Sequence, residues 1–315
     1  MPRRGAGLSG RREAAALAVG AVSAVGVLAV GVIGLALATG RRHDAAILQG
    51  FTGLDRSRVD PVLRVVAVAV DPLPFCCVAV VLLGACLAHR RVWRAIAVMT
   101  VLIGSGATAQ VLKQLLAQPR RPSFDAGFGG ENFHWPSGHA TAATALAICA
   151  VIVAPPAWRV LVAVVAGGCA LAVAYATLAL AWHYPSEVLA GILLAGAWGL
   201  TALGFLARHE PADPATWTPR APRSAIALGA VVACIATAIV TAAASPLPIS
   251  ESDRVGLAVS TMLIATLTIA LLAATIVLAP PDSEYDEFDW PTPTTSIEPR
   301  DGPEPTPAGS TSTSG

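Results

Sequence analysis

Long apolar runs, interrupted by short polar segments, make up most of this chain. Eight runs are visible, and the first is as long as the roughly 20 residues that an α-helix needs to cross a bilayer. They cover residues 14–39, 72–88, 95–116, 140–154, 160–180, 188–207, 224–244 and 255–279. A helix satisfies its own backbone hydrogen bonds, so we predict an all-α, polytopic membrane helix bundle with about eight transmembrane helices.

The polar segments between these runs predict loops and a tail. The first run is longer than the apolar part of a signal peptide, so we interpret it as a transmembrane helix. Residues 41–64 mix both signs of charge with Leu48, Phe51 and Leu54, which indicates a connecting loop that can include a short helix along the membrane surface. After the last run the chain is rich in Pro, Thr, Ser and acidic residues, so we predict a disordered acidic tail over residues 280–315.

Composition supports a membrane protein, and the distribution of charge adds an orientation. Hydrophobic residues make up 55% of the 315 residues and charged residues only 13%, which is outside the range of ordinary soluble domains. Lys and Arg are more frequent on the side that holds the N-terminal arginines, so we predict that both termini are cytoplasmic and that residues 113–139 face outward.

No basic stripe typical of nucleic-acid binding is present. The six cysteines lie within apolar runs and lack zinc or disulfide spacing.

A helix start suited to anion binding lies at Pro136-Ser137-Gly138-His139, immediately before the apolar run that begins at Ala140. Ser137 is a natural N-cap, and the backbone N–H groups that follow it have no partner within the helix. Such a helix N-terminus binds anions readily, and a small glycine leaves room for the ligand. His139 is then at the mouth of an anion site, although a plain helix start with an interfacial histidine has the same pattern.

A second histidine, His183, lies four residues before Glu187, at the start of the run over residues 188–207. This spacing predicts that both side chains lie on one helical face. Glu187 can then accept a hydrogen bond from one ring nitrogen of His183 and leave the other nitrogen basic and nucleophilic. A structural pair has the same spacing, but the presence of a histidine at two outward helix mouths favours a shared site.

Three cations lie on the same predicted side of the membrane. Lys113, the only lysine in the chain, is about one turn from the outer end of its helix, where it can snorkel to the lipid headgroups or contact a phosphate oxygen. Arg120 and Arg121 lie between Pro119 and Pro122, so the loop is stiff and can direct a guanidinium group, which suits bidentate contact with phosphate. Together the three cations predict a phosphate-binding cup.

Metal binding is the less favoured interpretation of the same region. His134 and His139 could serve as ligands together with Glu131, but their spacing matches no common zinc pattern. We therefore predict no metal and no cofactor.

These three segments resemble the signatures of the type 2 phosphatidic acid phosphatase superfamily, which includes lipid phosphate phosphatases, bacterial polyprenyl pyrophosphate phosphatases and vanadium haloperoxidases. The family signatures are Lys, six residues, Arg-Pro; then Pro-Ser-Gly-His; then Ser-Arg, five residues, His, three residues, Asp. The resemblance covers residues 72–207, the order of the segments agrees, and Pro-Ser-Gly-His is matched in full.

The chain departs from these signatures at three points. By spacing, the family arginine falls at Arg120, but the Arg-Pro pair lies one residue later at Arg121, so either can be the phosphate ligand. Glu187 replaces the family aspartate and keeps the carboxylate. Ala176 and Thr177 replace the Ser-Arg pair, which removes a guanidinium that stabilises phosphoryl charge in the transition state.

The resemblance implies a metal-independent integral-membrane phosphatase that acts at the extracytoplasmic face on a lipid-linked phosphate or pyrophosphate, phosphatidic acid-like or polyprenyl. His183 would attack phosphorus to give a phosphohistidine, Glu187 would orient His183, and His139 would protonate the leaving group. The phosphoryl oxygens would be held by Lys113, Arg120 or Arg121, Ser137 and the Gly138 N–H. Because Thr177 stands at the position of the family arginine, a second hypothesis stays open, a non-catalytic lipid-phosphate binder or transporter that keeps the fold.

The resemblance also divides the chain, because the family core has six helices and this chain has more. The predicted parts are a cytoplasmic N-terminal segment over 1–13, a six-helix phosphatase-like membrane domain over 14–207, two additional transmembrane helices within 208–279 and the tail over 280–315.

Overall fold

The computed structural model describes residues 3–52, 56–116, 135–210 and 251–280, and every regular element in these ranges is a helix. This confirms the predicted all-α fold class. The helices are α1 Arg3–Gly31, followed by a π-helical segment Val32–Ala36, α2 Ala38–Thr52, α3 Arg56–Val68, α4 Pro72–Ala88, α5 Val92–Leu115, α6 Gly138–Val153, a 3-10 turn Pro156–Trp158, α7 Arg159–Ala179, α8 Pro185–His209 and α9 Glu251–Leu278.

Three predicted features lie outside the described residues. They are the loop that carries Arg120 and Arg121, the apolar run over residues 224–244, and the acidic tail from residue 281 onward.

Five segments of the described chain are long and apolar enough to cross a membrane. They are Ser9–Ala36, Val92–Leu115, Pro156–Ala179, Pro185–His209 and Arg254–Leu278. Helices α3 and α4 form a sixth apolar path, with a bend of 48° between Asp60–Val68 and Pro72–Ala88. The apolar helix α6 is shorter, at 16 residues. Many large apolar side chains on these helices are exposed, as expected for surfaces in contact with lipid rather than water, and the chain is a multi-pass membrane protein.

Residues 41–64 are more helical than the predicted connecting loop that can include a short helix, because α2 and α3 cover most of the segment. Asp44, Leu48 and Phe51 are all buried, and they follow one another at intervals of four and three residues. These intervals correspond to one face of an α-helix. The charged residues before and after these positions gave the segment the composition of a loop, whereas its buried face has a helical period.

Helix α8 lies at the centre of the bundle and packs against α1, α5, α6 and α9. Glycines allow the close approach: a Cβ atom on Gly199 would lie 2.8 Å from Ile148 Cγ2, and one on Gly196 would lie 2.7 Å from Leu271 Cδ1. Close contact through small residues is typical of helix packing in membranes. The central position of α8 surrounds its first turn with the ends of neighbouring helices, and the predicted site residues that the structure describes lie there.

The other end of the bundle, where α8 finishes, is closed by buried arginines. Arg12 Nη2 donates a hydrogen bond to Leu278 O (2.8 Å), and Arg159 Nη2 donates one to Pro280 O (2.6 Å). Cationic side chains near the last carbonyl groups of a helix stabilise it. These bonds fasten the end of α9 to α1 and α7.

Candidate active site

Four helix ends meet around the first turn of α8: the C-terminal ends of α5 and α7 and the N-terminal ends of α6 and α8. Ser137 fixes the start of α6, because its Oγ accepts a hydrogen bond from Ala140 N–H (3.2 Å). Ser137 N–H donates to the carbonyl oxygen of Glu187 (2.9 Å), which couples the starts of α6 and α8. A Cβ atom on Gly191 would lie 2.7 Å from Ser137 O, so a glycine at that position permits the approach.

The turn between α7 and α8 positions His183. Ala181 adopts the left-handed backbone region with a φ of 59°, which reverses the chain after α7. Trp182 N–H and His183 N–H then both point to the carbonyl oxygen of Thr177, at 2.9 and 3.4 Å. His183 therefore lies in a turn, and the prediction that it shares a helical face with Glu187 is corrected, since α8 begins only at Pro185.

The His183 and Glu187 side chains are nevertheless in contact. His183 Nδ1 donates a hydrogen bond to Glu187 Oε2 (2.5 Å), and both side chains are buried. Glu187 Oε2 also accepts from Tyr184 N–H (3.3 Å), so the carboxylate caps its own helix while it orients the imidazole. Within the described part of the chain, Glu187 Oε1 has no hydrogen-bond partner. The arrangement fixes the tautomer of His183 and leaves Nε2 as its basic nitrogen.

His139, on the first turn of α6, lies beside that basic nitrogen. Its Nδ1 is 3.4 Å from His183 Nε2, and its Nε2 is 3.5 Å from Asp71 Oδ1. The His139 ring also faces the ring of Trp182, with a distance of 5.5 Å between ring centroids. Asp71 was not among the predicted site residues; the signal that could have identified it is an acidic residue directly before the proline that starts an apolar run.

Lys113 reaches the start of α6 from the last turn of α5. A Cβ atom on Gly138 would lie 2.8 Å from Lys113 Nζ, so the glycine leaves the space that the ammonium group occupies. The same ammonium group is close to the backbone N–H groups at the helix start, which are themselves suited to an anion. Lys113 and the N-terminus of α6 thus present positive charge to one place.

A cavity of about 380 Å³ opens beside these groups, between α4, α5 and α6. Polar groups of the site form part of its wall, and apolar side chains form another part. The lining includes Asp71, Lys113, Gly138 and His139 on the polar side and Val70, Phe75, Leu102 and Ala109 on the apolar side. A cavity with this composition can hold a charged head and the first part of an apolar chain.

The predicted guanidinium groups are not placed by the structure, because Arg120 and Arg121 lie outside the described residues. At the position of the family arginine, Thr177 is fully buried, and its Oγ1 donates a hydrogen bond to Ala174 O (2.8 Å). This position therefore contributes no charge to the site. Among the three predicted phosphate-binding cations, Lys113 is the one within the described residues.

Asp44, on α2, is a second acidic residue that the sequence interpretation missed. It is buried, accepts a hydrogen bond from Ser186 N–H at Oδ1 (3.0 Å), and accepts another from Ser186 Oγ at Oδ2 (2.6 Å). Burial raises the pKa of Asp44 to about 7; the Ser186 hydrogen bonds oppose this shift and the charge of Glu187 adds to it. Asp44, on α2, thus caps the first turn of α8 at Ser186, the residue directly before Glu187.

The geometry brings together groups that are suited to nucleophilic and acid–base chemistry on an anion. It provides an imidazole with a fixed tautomer and a basic Nε2, a second imidazole at 3.4 Å, an ammonium group and a helix N-terminus. Among the described residues, no group of three or more His, Cys, Asp or Glu side chains has the geometry to hold a metal ion.

Comparison with known proteins agrees with the resemblance inferred from the motifs. Residues 94–210 match the model of the PAP2 superfamily, and this range contains Lys113, Ser137, His139, His183 and Glu187. No curated protein sequence matches the chain.

The fold is similar to a crystal structure of a transmembrane PAP2 type phosphatidylglycerolphosphate phosphatase from Bacillus subtilis. The TM-score is 0.51 and the sequence identity 19%, over 60% of this chain and 94% of that chain. The family match and the structural match confirm the predicted resemblance. Asp44 and Asp71 lie outside the range that the family model matches.

Proposed function

We propose that this chain, whose residues 94–210 match the PAP2 superfamily, hydrolyses a lipid-linked phosphate or pyrophosphate through a phosphohistidine on His183. The membrane fold and the family match support a lipid phosphate phosphatase. The observation that carries the mechanism is the hydrogen bond from His183 Nδ1 to Glu187, which leaves Nε2 beside His139. A nucleophile oriented by a carboxylate and adjacent to a second proton carrier is the arrangement that covalent catalysis requires.

The reaction then proceeds in two displacement steps. In the first, His183 Nε2 attacks phosphorus, the bond from phosphorus to the leaving oxygen breaks, and His139 gives that oxygen a proton. In the second, His139 accepts a proton from water and the resulting hydroxide oxygen attacks phosphorus. The bond from phosphorus to His183 Nε2 breaks with its electron pair on the nitrogen, and inorganic phosphate leaves. His183 and His139 return to their starting protonation states, so no external acid or base is consumed.

Charge on the phosphoryl oxygens is neutralised by groups already described. Lys113 lies beside Gly138, whose backbone N–H is proposed to bind the phosphoryl oxygens together with Ser137, and either Arg120 or Arg121 is proposed to add a guanidinium. None of these steps requires a metal. The cavity beside His139 supports entry of a substrate that carries an apolar chain. The extracytoplasmic side is proposed from the distribution of Lys and Arg.

Phosphate release in the presence of EDTA tests this proposal. Purified protein in detergent should release inorganic phosphate from phosphatidic acid or from a polyprenyl pyrophosphate, and labelled substrate should leave an acid-labile, base-stable phosphoenzyme. His183→Ala should abolish both signals. His209→Ala, an exposed histidine at the other end of α8, is the matched control and should retain both. Absence of phosphate release from every lipid tested, by folded protein, would reject the proposal.

The second candidate function is a lipid-phosphate binder or transporter without catalysis. The uncharged, buried Thr177 at the position of the family arginine favours it, because the lost guanidinium stabilises charge that develops in the transition state. Under this hypothesis, lipid binding or transfer between leaflets would persist unchanged in His183→Ala and no phosphate would be released by the parent protein.

A further inference from the structure

His139 lies between two ionisable groups, one at each ring nitrogen. Its Nδ1 is 3.4 Å from His183 Nε2, and its Nε2 is 3.5 Å from Asp71 Oδ1. Two carboxylates and two imidazoles thus form one row, in the order Glu187, His183, His139, Asp71. Each imidazole has a carboxylate of its own, and only Glu187 belongs to the motifs that the sequence displays.

The local backbone leaves the Asp71 carboxylate available for this contact. Asp71 precedes Pro72, and a residue before proline is disfavoured in the helical region, so its backbone is extended, with φ −60° and ψ 162°, and α4 begins after it. Asp71 occupies the N-cap position of α4, but its side chain makes no capping hydrogen bond. The carboxylate therefore faces His139 rather than the N–H groups of its own helix.

The groups around His139 determine how readily its ring holds a second proton, and the contact with Asp71 bears on this. Burial is the strongest effect that disfavours positive charge on the His139 ring. His183, from the turn before α8, and Lys113, from α5, add to it when they are protonated. Asp71 is the carboxylate that contacts His139 among the described residues, and it favours the protonated ring. A general acid must hold a proton before it can give one, so the cationic site requires such a partner.

We infer that Asp71 is a positioning residue for His139: its carboxylate accepts a hydrogen bond from Nε2–H and directs Nδ1 toward the oxygen that leaves phosphorus. This inference rests on the proposed phosphatase function. The proton on Nδ1 of the protonated ring passes to the leaving oxygen, and the bond from phosphorus to that oxygen breaks with its electron pair on the oxygen. His139 is then neutral, and its Nε2–H donates a hydrogen bond to Asp71. Asp71 acts on His139 as Glu187 acts on His183.

Leaving-group dependence distinguishes this role from a merely structural one. Phosphatidic acid expels an alkoxide-like oxygen that requires protonation, whereas 4-nitrophenyl phosphate expels a phenolate that is stable without a proton. We expect Asp71→Asn to lower kcat/KM on phosphatidic acid by about 10-fold or more, as part of a general-acid contribution of roughly 10² to 10⁴. The kcat/KM on 4-nitrophenyl phosphate should change by less than about 3-fold, because loss of general acid assistance is small there.

Two further variants of Asp71 separate an effect on catalysis from an effect on folding. Asp71→Ser removes the carboxylate but places a residue favoured at the N-cap, so it should fold and show the same substrate-dependent loss. Asp71→Glu keeps a carboxylate and should restore part of the activity on phosphatidic acid. Glu13→Gln is the matched control: Glu13 is paired with Arg208 at the other end of the bundle, and its replacement should leave the ratio of the two substrates unchanged.

A double mutant tests whether Asp71 acts through His139. His139→Ala alone should lower kcat/KM on phosphatidic acid more than Asp71→Asn does, and the combined variant should lose no more activity than His139→Ala. Losses that multiply would overturn the inference, as would an equal loss on both substrates in a folded Asp71 variant or an unchanged substrate ratio. If the parent protein releases phosphate from neither substrate, the proposed function itself fails, which separates that outcome from a failure of the inference alone.

Discussion

The two ends of the bundle use buried charge in different ways. At the end where α8 finishes, Arg159 Nη2 donates to the carbonyl oxygen of Pro280 (2.6 Å), and Arg94 Nε donates to Glu210 (3.1 Å). At the end where α8 begins, ionisable side chains face one another: His183 contacts both Glu187 and His139.

The difference shows what each end contributes. At the arginine end, the guanidinium groups donate hydrogen bonds to carbonyl oxygens or to a carboxylate, and these bonds hold helices together. At the other end, two imidazoles lie 3.4 Å apart beside a cavity, an arrangement that does not maximise stability. Groups that depart from local optimisation in this way are typical of functional sites. We therefore expect substitutions at the two ends to separate into losses of activity and losses of stability.

The largest loss of activity in this comparison should follow Glu187→Gln. The amide cannot hold His183 in the required tautomer as the carboxylate does, so kcat/KM should fall by on the order of 10³ or more. Glu187→Asp should retain or improve activity, because aspartate is the family residue. Steady-state kinetics on phosphatidic acid, with thermal unfolding as a check on folding, measures the effect. Glu210→Gln makes the same chemical change at the other end and should leave kcat/KM within about 2-fold. Similar losses in both variants would contradict the division between the ends.

Gly138→Ala should produce the next largest effect. The added Cβ atom would lie 2.8 Å from Lys113 Nζ and would displace the ammonium group from the start of α6. A displacement of about 1 Å in a positioned group can lower kcat/KM by on the order of 10². Gly84→Ala is the control, because a Cβ atom there meets nothing within 4 Å. That variant should keep full activity and gain up to about 1 kcal/mol, since alanine is the better helix former. Full activity in Gly138→Ala would remove Lys113 from the phosphate site.

Arg159→Ala should lower stability without changing the chemistry. Arg159 donates to the carbonyl oxygens of Ala154 (3.2 Å) and Pro280 (2.6 Å), and both bonds are lost together with the charge. Hydrogen bonds from a charged group contribute about 1.5–3 kcal/mol, so the melting temperature should fall by several degrees. The kcat/KM of the folded fraction should stay within about 2-fold of the parent value. A selective loss of turnover at unchanged melting temperature would show that this end also takes part in the reaction.

The sequence predicts the residues of the site better than it predicts the residues on other helices that contact them. The start of α6 and the contact between His183 and Glu187 follow from local spacing, because an N-cap and a short-range pair are encoded within a few residues. The roles of Asp44 and Asp71 depend on contacts with distant parts of the chain: Asp44 bonds Ser186, which is 142 residues away. No local pattern encodes such a contact, and the mixed charges of α2 concealed its helical face.

Asp44 gives the smallest expected effect, a change in how stability depends on pH. Its pKa is raised from an ordinary value of 3.8 to about 7, mainly by burial, so the folded protein keeps a proton that the unfolded chain releases. The folded state binds more protons between these two values, and stability therefore falls as the pH rises from about 4 through 7, then levels off. The two Ser186 hydrogen bonds persist in the ionised form, but they do not fully offset the burial of the charge.

Asp44→Asn should remove this pH dependence, because the amide cannot ionise. Its Oδ1 can still accept from Ser186 N–H and its Nδ2 can donate to Ser186 Oγ, so the cap on α8 is preserved. We expect the melting temperature of the parent protein to fall more between pH 5 and pH 8 than that of Asp44→Asn, with a difference of about 2–4 °C for each kcal/mol of linked stability. Thermal unfolding of both proteins in the same detergent across this range is the measurement. Parallel pH profiles would mean that Asp44 is ionised across this range in the folded protein as it is in the unfolded chain, and the expected burial effect on its carboxyl group would then be absent.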